Sequence, residues 1–461
     1  MPAALLWLLP PDLSLRRIFF AGLCFGLGYL GFGVYWIYNS LHDFGQAPPL
    51  VAGGLTALLI VYLALYPALT LLAWAYARRS LGSLATWLLP LLWFGFEWLK
   101  GWLITGMPWL SLGYSQTDSP LAGFAPLIGV YGIGALCMLM SVALFVAIHE
   151  RRYPLLAVLL VLPLAGWLLQ QIEWTEAHAE PLRVTLVQGN IPQEIKWQPG
   201  QQQNIFNTYW RETSAHWDSD LIVWPETALP GHSEDIEQSL LQPLQDIAVE
   251  RQTPIMTGLV VSENAGTVFY NSVILLAAER VLYHKRHLVM FGEYYPMRWL
   301  LDFFRGWILI PYSDLTPGPG HQPEMSVGGQ VFGVTICFED VFSRDVALDF
   351  PAANLLVNLS NDAWFGDSTA PHQHLQIAQM RSLEMQRAML RSTNTGVSAF
   401  IDHQGGIFAQ SRQFETESIS ASVQGRSGLT PFYYFLKIQG FLGSAAIPVI
   451  LMLARRRAGA L

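Results

Sequence analysis

The chain has 461 residues, of which 52% are hydrophobic and only 13% are charged. Because soluble domains carry about 25% charged residues, this composition indicates a membrane protein. The formal net charge of −8, with no basic tract beyond short arginine clusters, argues against a nucleic-acid-binding protein.

Most of the hydrophobic residues lie in the first third of the chain. A membrane-crossing helix needs about 20 apolar residues, and the sequence contains six candidate spans, five of them before residue 175. These candidate spans are residues 17–38, 50–77, 84–104, 121–148, 154–169 and 435–454. The apolar stretch 2–9 is too short to cross, at about 12 Å as a helix against a hydrocarbon core of roughly 30 Å, and Pro10 and Pro11 follow it.

Arginine clusters at alternate ends of these spans predict one orientation. The clusters are residues 16–17, 78–79, 151–152 and 455–457, and the loop 39–49 contains no lysine or arginine. Because lysine and arginine are enriched in cytoplasmic loops, both termini are expected in the cytoplasm. The region after Gln170 is then expected on the opposite side of the membrane.

One charged pair interrupts a candidate span. Glu97 and Lys100 lie three residues apart at the end of an otherwise apolar run. A charge inside a membrane segment is a functional hypothesis by default. The position near the segment end favours instead a mutually paired couple that reaches out to the membrane interface.

Short β-rich runs alternate with polar helical patterns between residues 175 and 430. The β runs are 182–188, 221–224, 255–261, 268–277, 331–336, 354–359, 397–401 and 407–409, and the helical patterns are 201–217, 233–251 and 372–390. This alternation predicts an α/β domain whose sheets are covered by helices. The sequence therefore predicts a membrane domain (1–174), an exported α/β domain (175–430) and a C-terminal transmembrane helix with a basic tail (431–461).

Cys337 is the one cysteine of the exported domain, because Cys24 and Cys137 lie in predicted spans. It directly follows the β run 331–336, so a rigid strand would present its thiol to a substrate. Most free cysteines are small buried hydrophobes. An unpaired thiol outside the cytoplasm is nevertheless a candidate nucleophile.

Two further candidate catalytic groups follow apolar runs. Glu226 stands just past the run 221–224 and can accept a proton from a thiol, the alternative being a solvated turn glutamate. Lys285 also follows an apolar strand and can stabilise a thiolate or an oxyanion, the alternative being a surface charge. The polar turn 358–366 can form a wall of the same pocket.

Several histidines near these stretches raise the question of a metal site. His372 and His374 follow Asp362, while His284 and His287 flank the lysine. The sequence has neither an HExxH motif nor a spaced Cys/His quartet. Helix-start and surface histidines are therefore the favoured interpretation, and no metal or other cofactor is predicted.

Taken together, these motifs resemble the bacterial apolipoprotein N-acyltransferase family, membrane-bound members of the nitrilase superfamily. Glu226, Lys285 and Cys337 match, in that order, the Glu–Lys–Cys triad of the superfamily. The further matching words are VQGNIPQ (187–193), WPETALP (224–230), HLVMFGEYYP (287–296), ICFED (336–340), SNDAWFG (360–366), RSTNTG (391–396), GLTP (428–431) and, in the membrane domain, GYSQ (113–116). The resemblance covers nearly the whole chain.

The resemblance implies a membrane α-helical bundle that carries a nitrilase-like α/β domain, an αββα sandwich. It implies transfer of an acyl chain from a phospholipid to the N-terminal amine of the S-diacylglyceryl cysteine of apolipoproteins. The partners would be the phospholipid donor, the diacylglyceryl apolipoprotein acceptor and membrane lipids. The expected location is the bacterial inner membrane, with the catalytic domain facing the periplasm.

The family's site residues carry over by position. Cys337 resembles the family's nucleophile, which forms a thioester in a ping-pong reaction. Glu226 resembles the family's general base, and Lys285 resembles the lysine that stabilises the thiolate and the oxyanion. Glu293 and Glu339 match supporting positions needed for activity.

One further position matches the family, whereas one residue and the number of spans depart from its pattern. Trp197 matches a substrate-side aromatic residue, and Phe338 stands where the family more often has tyrosine. The family typically has eight spans, whereas this sequence shows six. We therefore expect the DNA upstream of Met1 to encode, in frame, a further hydrophobic stretch.

Two other functions fit parts of the pattern. A membrane-tethered amidase of the nitrilase superfamily would share the triad but need no lipid donor. A transporter or scaffold with a binding domain is supported by Glu97 and Lys100 alone. The extended match favours acyl transfer, because function is argued from the whole site and not from a triad.

Overall fold

The computed structural model describes residues 13–264, 266–294 and 314–458. The chain divides into two compact units. The first comprises the described residues of Met1–Tyr35, Gly53–Trp174 and Thr430–Leu461, and the second comprises Trp36–Ala52 and Thr175–Leu429. The apolar stretch 2–9 and part of the HLVMFGEYYP word lie outside the described residues.

The first unit is helical. Its α-helices are Leu15–Gly33, Pro49–Leu81, Leu89–Lys100, Ala125–His149, Val158–Leu169 and Pro431–Ala458. Within the described residues, three helical stretches are long and apolar enough to cross a membrane, namely Leu15–Gly33, Pro49–Lys100 and Pro120–His149. Tyr153–Leu169 is a shorter apolar helix. The predicted span 50–77 and most of the predicted span 84–104 fall within Pro49–Lys100, so the number of spans stays a prediction.

Glu97 and Lys100 form a buried ion pair in this unit. Lys100 Nζ donates to Glu97 Oε1 at 3.2 Å and to the Trp109 carbonyl at 3.3 Å. Glu97 Oε2 accepts the Leu112 amide at 3.2 Å. The expected mutual pairing is confirmed, whereas the expectation that the pair reaches out to the interface is wrong, since both side chains are buried. Their charges satisfy each other and the backbone of the following loop.

The second unit contains two β-sheets. Its strands are β1 (Glu176–Gln188), β2 (Leu221–Val223), β3 (Leu229–His232), β4 (Ile255–Glu263), β5 (Val268–Leu276), β6 (Val281–His284), β7 (Met325–Val327), β8 (Gln330–Ile336), β9 (Leu355–Ser360), β10 (Met389–Thr393), β11 (Ala399–Ile401), β12 (Ile407–Gln410) and β13 (Glu417–Ser427). Among the described residues, one sheet has the order β13-β1-β2-β4-β5-β6, with β3 paired to β4, and the other has the order β12-β11-β10-β9-β8-β7.

The two sheets pack face to face around one apolar core. This core takes side chains from β1, β2 and β5 of the first sheet and from β8, β9 and β10 of the second. The helices of this unit include Gln202–Thr213, Gln242–Arg251 and Ala370–Met385. The first two cover the outer face of the first sheet, and the third contacts β10 and β11 of the second. The predicted αββα sandwich is confirmed.

The sequence-based elements need correction, because the β runs omit β3, β7, β10 and β13. The helical pattern 372–390 joins two elements, because the helix Ala370–Met385 ends at the left-handed residue Gln386. The chain then enters β10, which the sequence pattern missed because its central residue, Arg391, is polar and yet buried.

The segment Trp36–Ala52 belongs to the second unit, although the sequence analysis placed it in the membrane domain. Trp36 Nε1 donates to Gln373 Oε1 at 3.1 Å, and the Trp36 ring lies 4.7 Å from the Phe365 ring. Ser40 Oγ donates to the Trp364 carbonyl at 2.7 Å. These tertiary contacts, with the SNDAWFG turn and the helix Ala370–Met385, cannot be predicted from the local sequence.

Candidate active site

Cys337 stands immediately after β8, at the start of the turn Cys337–Val341. Its φ is +51°, a left-handed conformation that is uncommon for residues with a side chain and costs on the order of 1–3 kcal/mol. Asn358, on the neighbouring parallel strand β9, donates from Nδ2 to the Cys337 carbonyl at 3.1 Å. The turn therefore presents the thiol past the strand end in a conformation that its surroundings hold in place.

The Lys285 ammonium lies between two carboxylates. Its Nζ is 2.9 Å from Glu293 Oε1 and 3.8 Å from Glu226 Oε1. Asn271 Nδ2, on β5, donates to Glu226 Oε1 at 2.7 Å and to Glu293 Oε1 at 2.9 Å. The structure thus brings Glu226 together with Lys285 and Glu293, which lie eight residues apart in the segment after β6. Asn271, which joins the two carboxylates, was not found by sequence reasoning.

The charges around Cys337 determine its resting state. Burial raises the pKa of the Cys337 thiol, Glu226 raises it further, and Lys285 opposes both. The pKa of Lys285 would fall on burial, but Glu293 and Glu226 outweigh that effect and raise it. Cys337 therefore rests as a thiol beside a cation, and a base must remove its proton during attack. Lys285 lowers the pKa of the thiol, as the sequence analysis expects, but burial and Glu226 outweigh it.

A second buried lysine holds the turn that carries Glu226. Lys196 Nζ donates to the Glu226 carbonyl at 3.2 Å and to Thr227 Oγ1 at 2.8 Å. Thr227 has a φ of +44°, which is unusual for a β-branched residue. Burial lowers the pKa of Lys196 to about 8. Sequence reasoning missed this residue, although it directly precedes Trp197.

Gly258, on β4, makes room for the same turn. A Cβ atom at this position would lie 2.4 Å from the Thr227 amide nitrogen and 2.7 Å from the Glu226 Cα. The Gly258 amide donates to the Pro225 carbonyl at 3.2 Å. The Glu226 turn therefore packs directly against the backbone of β4.

Glu339 connects the Cys337 turn to the segment after Lys285. Its Oε1 accepts the backbone amides of Arg286 at 2.6 Å and His287 at 3.0 Å. Its Oε2 accepts the Ile336 amide at 2.7 Å and the Tyr283 hydroxyl at 3.0 Å. Burial raises the pKa of Glu339 to about 7, although Lys285 and these backbone donors lower it. Glu339, which the sequence predicts as a supporting residue, therefore holds the Cys337 turn against the segment that follows Lys285.

Phe338 and Trp197 lie beside these groups in the chain. The Phe338 ring packs edge-on against Phe342 at 5.1 Å and faces the His287 ring at 6.2 Å. Trp197 follows the short helix Gln193–Lys196 and is partly buried. The substrate-side role of Trp197 stays a prediction.

The histidines considered as metal ligands have other partners. His284 Nδ1 lies 2.7 Å from Ser272 Oγ, and His287 Nδ1 lies 3.0 Å from Asp345 Oδ2. His374 lies between two carboxylates, described below, and His372 is exposed. Across the described parts of the chain, no group of three or more His, Cys, Asp or Glu residues could hold a metal ion.

This arrangement supplies the parts of nucleophilic acyl chemistry. A thiol at a strand end, a carboxylate that can take its proton and a fixed ammonium for a developing oxyanion are sufficient for a covalent acyl-enzyme. All three groups follow strands, so the sheets fix their separation.

Known families match both units of the chain. Residues 1–143 match the Apolipoprotein N-acyltransferase N-terminal domain, and residues 183–431 match the Carbon-nitrogen hydrolase family. Among solved structures, Saccharomyces cerevisiae Nit3, a nitrilase superfamily member, is 18% identical with a TM-score of 0.41 and covers 54% of this chain and 93% of its own.

Curated relatives match over most of their length. An apolipoprotein N-acyltransferase of Nitrosomonas europaea is 43% identical over 423 residues, 90% of this chain and 84% of that protein. A protein of the same name from Methylococcus capsulatus is 41% identical over 418 residues, 89% and 82% of the two chains. One from Chromobacterium violaceum is 38% identical over 475 residues, 99% and 92% of the two chains.

Proposed function

Because the chain belongs to the apolipoprotein N-acyltransferase family, we propose that it transfers an acyl chain from a phospholipid to the N-terminal amine of S-diacylglyceryl cysteine. The observation that carries the residue assignment is the Lys285 ammonium, which lies 3.8 Å from Glu226. Both charges act on the Cys337 thiol, whose pKa Glu226 raises and Lys285 lowers. Cys337 is the nucleophile, Glu226 the general base and Lys285 the oxyanion partner.

The first half-reaction forms a thioester. The Cys337 sulfur attacks the ester carbonyl carbon of the phospholipid while Glu226 takes the thiol proton. The carbonyl oxygen becomes an oxyanion beside the Lys285 ammonium. The bond between this carbon and the donor alcohol then breaks, and Glu226 returns the proton to the alcohol as it leaves.

The second half-reaction transfers the acyl group. The free amine of the lipidated cysteine attacks the thioester carbon, and Glu226 takes a proton from the attacking nitrogen. Lys285 again stabilises the oxyanion. The carbon–sulfur bond breaks, the Cys337 sulfur recovers its proton from Glu226, and an amide is released. Water must be excluded meanwhile, because hydrolysis of the thioester would make the enzyme a phospholipase.

Both lipid substrates lie in the same membrane surface, which accounts for a catalytic unit joined to apolar helices. The arginine clusters support an inner-membrane location with this unit in the periplasm. A reporter fused after Gln171 should read periplasmic, and one fused after Arg457 cytoplasmic. The opposite pair of signals would overturn this orientation.

The test of the function follows the acyl group itself. The purified protein is incubated with phospholipid and measured by intact mass, then given a synthetic diacylated lipopeptide. We expect an acyl adduct on Cys337 and a triacylated product, both lost in Cys337→Ala but kept in Cys24→Ala and Cys137→Ala. Released fatty acid without an amide product would indicate the membrane-tethered hydrolase instead.

A further inference from the structure

Four buried charged side chains contact one another behind the Cys337 turn. They are Asp340 in that turn, Asp362 after β9, His374 on the helix Ala370–Met385, and Arg391 on β10. Arg391 lies 3.0 Å from Asp362 Oδ2 and 3.5 Å from Asp340 Oδ2. Each of the four side chains is fully buried. We call this group the Asp–His–Arg cluster.

The surroundings of His374 favour its positively charged form. Its Nε2 lies 2.9 Å from Asp340 Oδ1, and its Nδ1 lies 3.1 Å from Asp362 Oδ1. Ionised carboxylates only accept hydrogen bonds, so this geometry favours a proton on both ring nitrogens. Burial and Arg391 oppose this charge, but the two carboxylates outweigh them and raise the pKa of His374. Two carboxylates, one guanidinium and one imidazolium then give a net charge of zero.

A hydrogen-bonded path and a charge effect connect the cluster to Cys337. In the path, Arg391 donates to Asn358 Oδ1 at 2.8 Å, and Asn358 donates to the Cys337 carbonyl at 3.1 Å. Ser360 Oγ donates its proton to Asp362 Oδ1 at 3.0 Å, and the Asp362 charge raises the pKa of the Cys337 thiol. The path therefore holds the backbone of the nucleophile, and the carboxylate acts on its sulfur.

We propose that the Asp–His–Arg cluster positions Cys337 and balances the charge behind its thiol, with His374 supplying the second positive charge. The proposal rests on the proposed role of Cys337 as nucleophile. Removing the charge of His374 leaves one unbalanced carboxylate next to Ser360 and makes the thiol harder to ionise. Removing one carboxylate as well restores the balance.

The other charges that face Cys337 come from elements outside the cluster. They are Glu226, which follows β2, and Lys285, which follows β6. Of the cluster, Asp362 acts on the thiol directly and raises its pKa. His374 is faced by Asp340, Asp362 and Arg391. Because Glu226 and Lys285 are unchanged in the variants below, a shift in thiol ionisation reports on the cluster.

The experiment measures the ionisation of the Cys337 thiol without any lipid substrate. The full chain, with Cys24 and Cys137 changed to alanine, is purified in detergent, and the rate of iodoacetamide alkylation is measured at about pH 8, where this rate follows the small thiolate fraction. We expect His374→Gln to slow alkylation about tenfold or more, which corresponds to a rise of about one unit in the pKa of the thiol. The double variant His374→Gln with Asp362→Asn should return the rate towards the starting value. His372→Gln, an exposed histidine on the same helix, should change nothing.

The double variant separates the charge role from a purely structural one. If the cluster only supported the fold, the double variant would be more disturbed than His374→Gln, and that result would overturn the proposal. An unchanged alkylation rate in His374→Gln would also overturn it. Should these variants not fold, Ser360→Ala leaves all four charges in place but removes the hydrogen bond to Asp362, so that carboxylate acts more strongly on the thiol and alkylation should again be slower. An unchanged alkylation rate in Ser360→Ala would overturn the charge role of the cluster.

Alkylation does not require acyl transfer, so the two proposals fail separately. A protein that shows the shift but forms no acyl adduct on Cys337 would refute the proposed function only. A protein that forms the adduct but shows no shift would refute the cluster's role only.

Discussion

The Lys285 ammonium donates a 2.9 Å hydrogen bond to Glu293 Oε1. Glu293 Oε2 accepts the Val289 amide at 2.8 Å, so this carboxylate is held from both sides. Glu226, at 3.8 Å, is farther from the ammonium. We infer that Glu293 is the main counter-charge of Lys285, which leaves Glu226 free to exchange a proton with the thiol.

Glu293→Gln should slow thioester formation and change its pH dependence. Glu293 is the largest of the charges that raise the pKa of Lys285, so its removal lowers that pKa. The ammonium should then lose its proton at a lower pH, so the alkaline loss of activity should begin at a lower pH than in the wild-type protein. The measurement is the rate of acyl-adduct formation from pH 6 to 10, with Glu279→Gln, an exposed glutamate, as the control. An unchanged alkaline limb would contradict this counter-charge role.

Glu339→Gln should be severely destabilising, whereas Tyr283→Phe should be mild. Glu339 accepts hydrogen bonds from three backbone amides and one hydroxyl. A glutamine side chain would direct its own NH2 group towards at least one of these four donors. Leaving buried partners unsatisfied costs about 1–3 kcal/mol each, while Tyr283→Phe removes one donor and costs about 1 kcal/mol. Thermal unfolding and adduct formation are measured for both. Equal losses would show that the hydroxyl is the main contact.

The strand ends that carry Cys337 and Glu226 were predictable because apolar β runs precede both residues. Asn271 and Lys196 were not, because each acts through contacts with residues more than 20 positions away in the chain. His374 was visible as a histidine near Asp362, but its partner Asp340 comes from a different element. Local patterns therefore reveal which residues end strands, whereas the pairing of buried charges depends on how the sheets and helices meet.

Lys196→Met should raise stability and lower activity at neutral pH. The folded pKa of about 8 lies below the ordinary 10.5, so the folded state binds this proton less tightly than the unfolded state. Wild-type stability should then rise as the pH increases from about 8 to 10.5, and the variant should lack that rise. At pH 7, burial of the Lys196 charge lowers the free energy of unfolding by about 3 kcal/mol, because the pKa lies roughly 2.5 below its ordinary value and each unit corresponds to about 1.4 kcal/mol. Two hydrogen bonds of about 1 kcal/mol each offset part of this cost.

The matched variant for Lys196 is Thr227→Val, which removes one acceptor and leaves the ammonium buried. It should lose stability, the opposite sign from Lys196→Met. Both should slow adduct formation, because both loosen the turn that carries Glu226. Thermal unfolding at pH 7 and pH 10 measures the first effect and intact mass the second. A Lys196→Met protein that is less stable at pH 7 would contradict the dominance of the burial cost.

Gly258→Ala should displace the general base without touching any charged group. The new methyl would meet the Thr227 nitrogen at 2.4 Å, the Glu226 Cα at 2.7 Å and the Pro225 carbonyl at 2.8 Å. These are backbone atoms, so the turn must move, at a cost of about 1–3 kcal/mol. Because a displacement of about 1 Å can cost on the order of a hundredfold in rate, adduct formation should fall far more than stability. Gly320→Ala, where a Cβ has no neighbour within 4 Å, is the control. A Gly258→Ala protein that acylates Cys337 at the normal rate would show that the position of Glu226 tolerates movement, and the proton would then need another acceptor.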